Sequence, residues 1–173
     1  MARRSIVVPR RTVLKQLAAG AAATALGRPA FAVPETIKVG LVAPQTGALA
    51  LFNEEMAWAL DHAKKALNNS IKINGTVHPL EFVVKDSQSN PNRAAEVTQD
   101  LILKDKVHLV TAFATPETVN PVADQCELNG TPCVSNDDPL ESYFFGRHGD
   151  PKKGFGWTFH FFFSGSGALG AMM

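Results

Sequence analysis

Between Val107 and Ser135 the chain reads strand, tight corner, helix, strand, and this unit restricts the possible folds more than any other stretch. Val107 to Phe113 is a short apolar run rich in β-branched and aromatic residues, the composition of a strand buried on both faces. Thr115-Pro116 opens a helix: the Thr hydroxyl can cap the first free N–H groups, and a proline at the first helical position gives up a donor that has no partner there. Val119, Val122, Ala123 and Cys126 recur at steps of three and four, which puts them on one face and that face against a sheet. Asn129-Gly130 tolerates the positive φ that ends a helix, and Pro132 to Ser135 resumes as a strand. A βαβ unit crosses over right-handedly. The corner at Ala114 to Thr118 and the loop at Asn136 to Asp138 therefore meet at the carboxyl edge of a parallel sheet, where open α/β folds bind ligands.

The preceding residues repeat the pattern. Ile37 to Val42 reads as a first strand with turn residues Pro44 to Gly47 behind it. A helix from about Asn53 to Asn68 carries Met56, Ala59, Leu60, Ala63, Ala66 and Leu67 as one apolar stripe. Asn74-Gly75 is a turn, Val77 to Val84 a second strand interrupted early by Pro79, and Asn90-Pro91 starts a further helix with Ala94, Val97, Leu101 and Ile102 on its buried side. The fold class that follows is α/β, an open parallel sheet with helices on both faces. No GxGxxG follows the first strand and no GxxxxGK[ST] occurs, so dinucleotide and phosphate-loop chemistry is unsupported and no cofactor is expected.

The 173 residues suffice for one ordinary domain. The formal charge of +1 hides a split. Six of the 17 Lys and Arg lie before Val33 and none of the 16 acidic residues does, which leaves a body of net charge −5 and argues against a nucleic-acid partner. Cys126 and Cys133 are the only cysteines; they read as two small buried residues at a helix-strand contact or as a disulfide in an exported chain. His108, His148 and His160 have no partners at metal spacing.

Residues 1–32 read as a targeting segment. Arg3, Arg4, Arg10 and Arg11 form a basic start, Leu17 to Leu26 is an Ala-rich apolar stretch too short to anchor in a bilayer, and Ala30-Phe31-Ala32 is a small-x-small cleavage site. Arg10-Arg11-Thr12-Val13-Leu14-Lys15 resembles the twin-arginine export motif, with Pro9 and Val13 as departures. Export with cleavage after Ala32 places the mature chain in the periplasm.

Ile37 to Gly47 with the helix behind it, Lys85 to Pro91, and Asn129 to Ser135 together resemble the first lobe of a type I periplasmic binding protein, close to the branched-chain amino-acid receptors of ABC importers. The resemblance covers about Ile37 to Phe162. It implies two similar lobes closing on a solute, a small-molecule ligand (amino acid, amide or aromatic acid), a membrane permease as partner, and no enzymatic activity. Residues 33–163 then form an incomplete N-terminal lobe, and residues 164–173 an aberrant or truncated tail that departs from the family pattern. On this expectation the chain alone is a partial receptor.

Carried over by position, the resemblance puts a ligand-packing aromatic at Phe52, a first polar loop at Ala114, Thr115 and Pro116, and a second at Asn136, Asp137 and Asp138. Residue chemistry supports part of this, because free N–H groups and a helix dipole at Thr115 make an anion site. It also raises a tension: carboxylates at Asp137 and Asp138 repel an anionic head unless a cation pairs with one of them. Each position has a plain structural use as well. Phe52 can staple its helix to the core, Thr115 can act only as a cap, and Asp137 ahead of Pro139 suits a turn. The aromatic runs Tyr143 to Phe145 and Phe159 to Phe163 read as core. A ligand sensor of the same fold is the competing function, disfavoured by the leader. An α/β enzyme lacks a nucleophile with its base, a metal set or a glycine-rich loop.

Overall fold

A computed structural model describes residues 34–167. The expected targeting segment, its expected cleavage site and residues 168–173 of the expected tail lie outside the described residues.

Six strands, β1 (Ile37–Ala43), β2 (Ser70–Ile73), β3 (Thr76–Asp86), β4 (Leu109–Ala112), β5 (Cys133–Ser135) and β6 (Thr158–His160), alternate with four helices, α1 (Phe52–Leu67), α2 (Pro91–Leu103), α3 (Pro116–Asn129) and α4 (Leu140–Gly146). The sheet order is β2-β3-β1-β4-β5-β6. β1 lies between β3, in register from Ile37 opposite Leu80 to Ala43 opposite Asp86, and β4, from Val39 opposite Leu109. These pairings and those of β4 with β5 and β5 with β6 are parallel, as the βαβ reading requires.

β2 is the departure from an all-parallel sheet. It pairs antiparallel with β3 through a turn at Asn74 and Gly75, whose φ values of 49° and 87° are those of a tight hairpin turn. Pro79 stands inside β3, contrary to the expected interruption. It faces Ser70 on β2 and precedes the ladder to β1, which begins at Leu80, so its missing N–H forfeits no bond to β1.

α2 and α3 cover one face of the sheet. Ala94, Val97 and Leu101 of α2 and Val122 and Cys126 of α3 are fully buried against Val42, Val110, Ala112 and Cys133. Burying each large aliphatic here stabilises by about 1.5–3 kcal/mol. The close approach of α2 requires Gly40, where a Cβ would stand 2.9 Å from a Leu101 methyl. Both cysteines are free thiols in this core, and a hydrogen bond to Cys133 together with burial pushes the Cys126 thiol far up. Asn90 caps α2 as expected, its side-chain oxygen accepting from Arg93 N at 3.0 Å. Gly130 ends α3 with φ 63°, and Thr131 N–H then donates back to Cys126 O at 2.9 Å.

α1 lies on the opposite face. Phe52 and Met56 pack on Ala43, Val84, Phe113 and Ala114, yet no α1 residue is fully buried. The same face over β5 and β6 is bare. Val134 and Phe159 stand opposite each other in register, and Phe159 and Phe161 are largely exposed. Of the aromatic runs read as core, Tyr143 alone is fully buried; Phe145 on α4 is exposed, and Phe159, Phe161 and Phe163 are largely exposed where no described element covers that side of β6 and the chain after it.

α4 and β6 are held by charge. The Arg147 side chain is 1% exposed and donates to Asp124 Oδ1 at 2.6 Å and Thr158 Oγ1 at 3.1 Å. Its guanidinium carbon lies 4.6 Å from the Tyr143 ring centre and 4.0 Å from that of Phe155. The Glu127 carboxylate accepts from the backbone of Gly156 and Trp157, which aims the chain into β6. On α4, Glu141 accepts from the Ser164 and Ser166 hydroxyls and the N–H groups of Gly165 and Ser166, and these donors hold its carboxyl well below the ordinary range.

Candidate functional site at the carboxyl edge of the sheet

The loops leaving β1, β3, β4 and β5 meet at one end of the sheet. Asp86 ties the first two together. Its Oδ1 accepts from the N–H groups of Gln45, Thr46 and Gln88, and its Oδ2 from the Thr46 hydroxyl at 2.7 Å. Burial would raise this carboxyl, but those hydrogen bonds win and hold it below its usual value. Gly47, at φ 92°, is required beside them: a Cβ would stand 2.7 Å from Ser89 Oγ and 2.8 Å from Gln88 O. This arrangement fixes the chain that enters α1 at Phe52, which lies in the cluster containing Ala114.

β4 leaves through Ala114, which is 1% exposed and has φ 116°, a conformation costly for a residue with a Cβ. The strained corner delivers Thr115 in extended conformation to the start of α3, where its carbonyl accepts from the N–H groups of Thr118 and Val119. The expected side-chain cap does not form. The Thr115 hydroxyl is buried and makes no hydrogen bond of good geometry, although its proximity lowers the Glu117 carboxyl one turn further on. Pro116 occupies the first helical position.

β5 leaves through Asn136, whose N–H donates to Ala112 O at 3.2 Å, and Asp137, at φ 65°. Burial and then Glu55 raise the Asp137 carboxyl. The loop ends at Asp138, just ahead of Pro139. Asp138 is 0% exposed, and neither carboxylate oxygen has a partner. Burial first and Glu117 second push its pKa up to about 6.

His160 was given no role by sequence reasoning, yet it braces this loop. Its Nε2 donates to the Asp138 carbonyl at 2.6 Å, its Nδ1 lies 2.9 Å from Ser135 Oγ, and its ring stacks on Tyr143 at 4.1 Å. Burial holds it below its ordinary pKa, which suits the neutral tautomer those contacts need. The signal lay in the register of β5 against β6, which sets Ser135 opposite His160. Among the described residues no group of three potential ligands could hold a metal ion.

A cavity of about 420 Å³ opens on the α1 side of this edge between Met56, Trp58, Phe113, Val134 and Asp137. Of the seven residues singled out from sequence, Asn136 and Asp137 line it. Phe52 and Ala114 share a packing cluster. Thr115 and Asp138 are linked through Glu117, which lies close enough to each to act electrostatically.

A profile described as periplasmic binding protein matches residues 36–173. The chain belongs to that family. Among solved structures it is similar to the leucine-binding protein LivK of Thermotoga maritima, at 18% identity and a TM-score of 0.66, covering 79% of this chain and 35% of that one. It is also similar to the branched-chain amino-acid transporter substrate-binding protein LivJ of Streptococcus pneumoniae, solved with isoleucine, at 25% identity and a TM-score of 0.57, covering 75% and 34%. An ABC transporter solute-binding protein of R. palustris, solved with 4-hydroxybenzoate, gives 25% identity and a TM-score of 0.58, covering 75% and 32%. No curated protein matches the chain. The chain thus spans about a third of the length of these periplasmic binding proteins.

Proposed function

We propose that the chain supplies one wall of the solute cleft of an extracytoplasmic binding protein serving an ABC-type importer. Its ligand is an amino acid, amide or aromatic acid of small size, its other partner is the membrane permease, and it performs no catalysis. The observation that carries this reading is the convergence of unpartnered polar groups at the carboxyl edge, Thr115 Oγ1 and both Asp138 carboxylate oxygens, in a chain of the periplasmic binding protein family. Phe52, Ala114, Thr115, Pro116, Asn136, Asp137 and Asp138 form the ligand-facing set. Lobe closure against a second wall would then bury the solute, since such sites cover most of their ligand's surface.

Screening a panel of amino acids, amides and aromatic acids by NMR against this chain, and by calorimetry against a two-lobed protein carrying it, tests the reading. Thr115→Val and Phe52→Ala should each weaken binding of the solute found, by about ten- to a hundredfold for the lost hydrogen bond. Unchanged affinity in both variants would place the site elsewhere.

Export belongs to the same reading. Mass spectrometry of the periplasmic protein should find Val33 as the new N-terminus, with export abolished when Arg10 and Arg11 are both replaced by Lys. A soluble product retaining Met1 would refute it.

A further inference from the structure

One strip of the sheet lies bare on the side that carries α1. α1 stands over β1 and β3, where its Ala59, Leu60 and Ala63 line one hollow with Val39, Leu41 and Phe82. Beside it, Val134 of β5 and Phe159 of β6 pair in register and so share a face, and Val134 lines the α1-side cavity together with Phe161. Trp58, Phe159 and Phe161 are 66%, 59% and 64% exposed. β6 is also the last strand in the sheet order, and residues 154–167 contain no Lys, Arg, Asp or Glu to keep a free edge from associating.

This surface has the form of a step. α1 is the riser, about 10 Å high as a helix layer is, and the strip over β5 and β6 is the tread, which ends at the edge of β6. Two sheets packed face to face also lie about 10 Å apart. A two-fold axis parallel to the strands therefore lays one tread on another while each β6 edge comes to rest against the opposite α1. An axis across the strands would drive α1 into the opposing sheet. The same fit sets the aromatics of one β6 over the cavity of the other copy, between Met56, Trp58, Phe113 and Val134. At about 420 Å³ that cavity is well above the ~150 Å³ that admits a benzene ring. Knob and hole thus lie on one patch, as a two-fold contact requires.

We propose that the bare strip over β5 and β6, bounded by α1, is a homodimer interface whose occupant is a second copy of this chain. The inference goes beyond the solute-binding reading and does not depend on it. At their exposure, Trp58, Phe159 and Phe161 each offer roughly 100–150 Å² of surface, so the six in a dimer supply about 700 Å². Met56, Val134 and the two β6 edges bring the total to the ~1,000 Å² that a specific interface needs. Trp58 already stacks on His62, with ring centres 3.9 Å apart, and so gives up little further freedom as an anchor.

Sedimentation equilibrium of the 173-residue chain tests the proposal. A closed dimer is expected, with a Kd on the order of ten micromolar. Trp58→Ser and Phe159→Ser lie on different elements at exposed positions, and each should weaken association by about tenfold or more with the far-UV circular dichroism unchanged. Trp58 separates the modes of packing, because joining two β6 edges into one longer sheet would leave α1 out of the contact and association indifferent to Trp58→Ser. The parallel axis brings the Glu55 and Asp137 ends of both copies together, so added salt should tighten the dimer by screening them. A monomer at tenfold the expected Kd, its strip left for another segment or another protein, would overturn the proposal. So would open-ended polymerisation, association indifferent to Trp58→Ser, or dissociation by salt.

Discussion

Replacing Asp124 by Asn should lower the unfolding free energy of this chain by about 2–3 kcal/mol, read as a lower urea midpoint with an unchanged slope. The Arg147 guanidinium is buried against the Tyr143 and Phe155 rings, and Asp124 is its only carboxylate partner among the described residues. One of its terminal nitrogens is already without a partner. Asn keeps the shape but removes the counter-charge, leaving a desolvated cation held by the Thr158 hydroxyl and two ring faces. The full penalty for breaking a buried pair is about 3–5 kcal/mol. Asp124 is 56% exposed, so water can replace part of what it supplies and the loss falls below that range. Arg147→Met should cost less than Asp124→Asn, because it removes the buried charge and keeps most of the apolar contact. A change under about 0.5 kcal/mol for Asp124→Asn would mean that the rings and Thr158 alone satisfy the arginine.

Asp138→Asn should act in the opposite direction and stabilise the ligand-free protein at neutral pH. The folded-state carboxyl titrates at about 6, above its ordinary value of 3.8, so folding favours the protonated form. Folded molecules bind more protons than unfolded ones between those two values, and the unfolding free energy therefore falls as pH rises through that window. Below 3.8 the charge is absent in both states and costs nothing. Above about 6 the whole penalty is present. Its ceiling is about 3 kcal/mol. Thermal melts should thus show Asp138→Asn well above wild type at pH 7.5 and the two converging by pH 4. The titration of His160, whose pKa is lowered, is common to both proteins and cancels in the difference. A variant less stable at pH 7.5 than at pH 4, relative to wild type, would contradict the assignment. A stabilising loss of a carboxylate is what a binding group kept at the expense of the fold should show.

The periodic parts of the fold were legible in the sequence. The Val119, Val122, Ala123, Cys126 stripe, the Asn90-Pro91 start and the Gly130 stop report short-range physics, and all stand in the structure as read. β2 was not legible, because Ser70 to Ile73 is too short and mixed for a strand signal and owes its conformation to pairing with β3. The site was legible in its location, set by the handedness of the βαβ unit, but not in its electrostatics. Asp137 and Asp138 look alike in sequence beside Pro139. That one is half-buried while the other is fully buried is not written in their types; the loop is braced by His160, which reaches the Asp138 carbonyl from 22 residues along the chain. Thr115 misled as well: its type and position suit a cap, but its hydroxyl makes no cap bond and lies instead beside the Glu117 carboxyl.

The position of β1 has a consequence for the order in which the molecule assembles. β1 is the first strand of the described chain and a central strand of the sheet, and its two neighbours begin about 40 and 70 residues later. Among the described strands, the β2–β3 hairpin is the only pairing that local chain can complete by itself. A growing polypeptide must therefore carry β1 unpaired until β3 and then β4 have emerged, so the oldest strand waits about 70 residues of chain before it is secured on both sides. Large sequence separation of this kind slows folding and prolongs the exposure of an unpaired apolar strand. The interval between synthesis of Ala43 and that of Ala112 is when this protein most needs protection from its own kind.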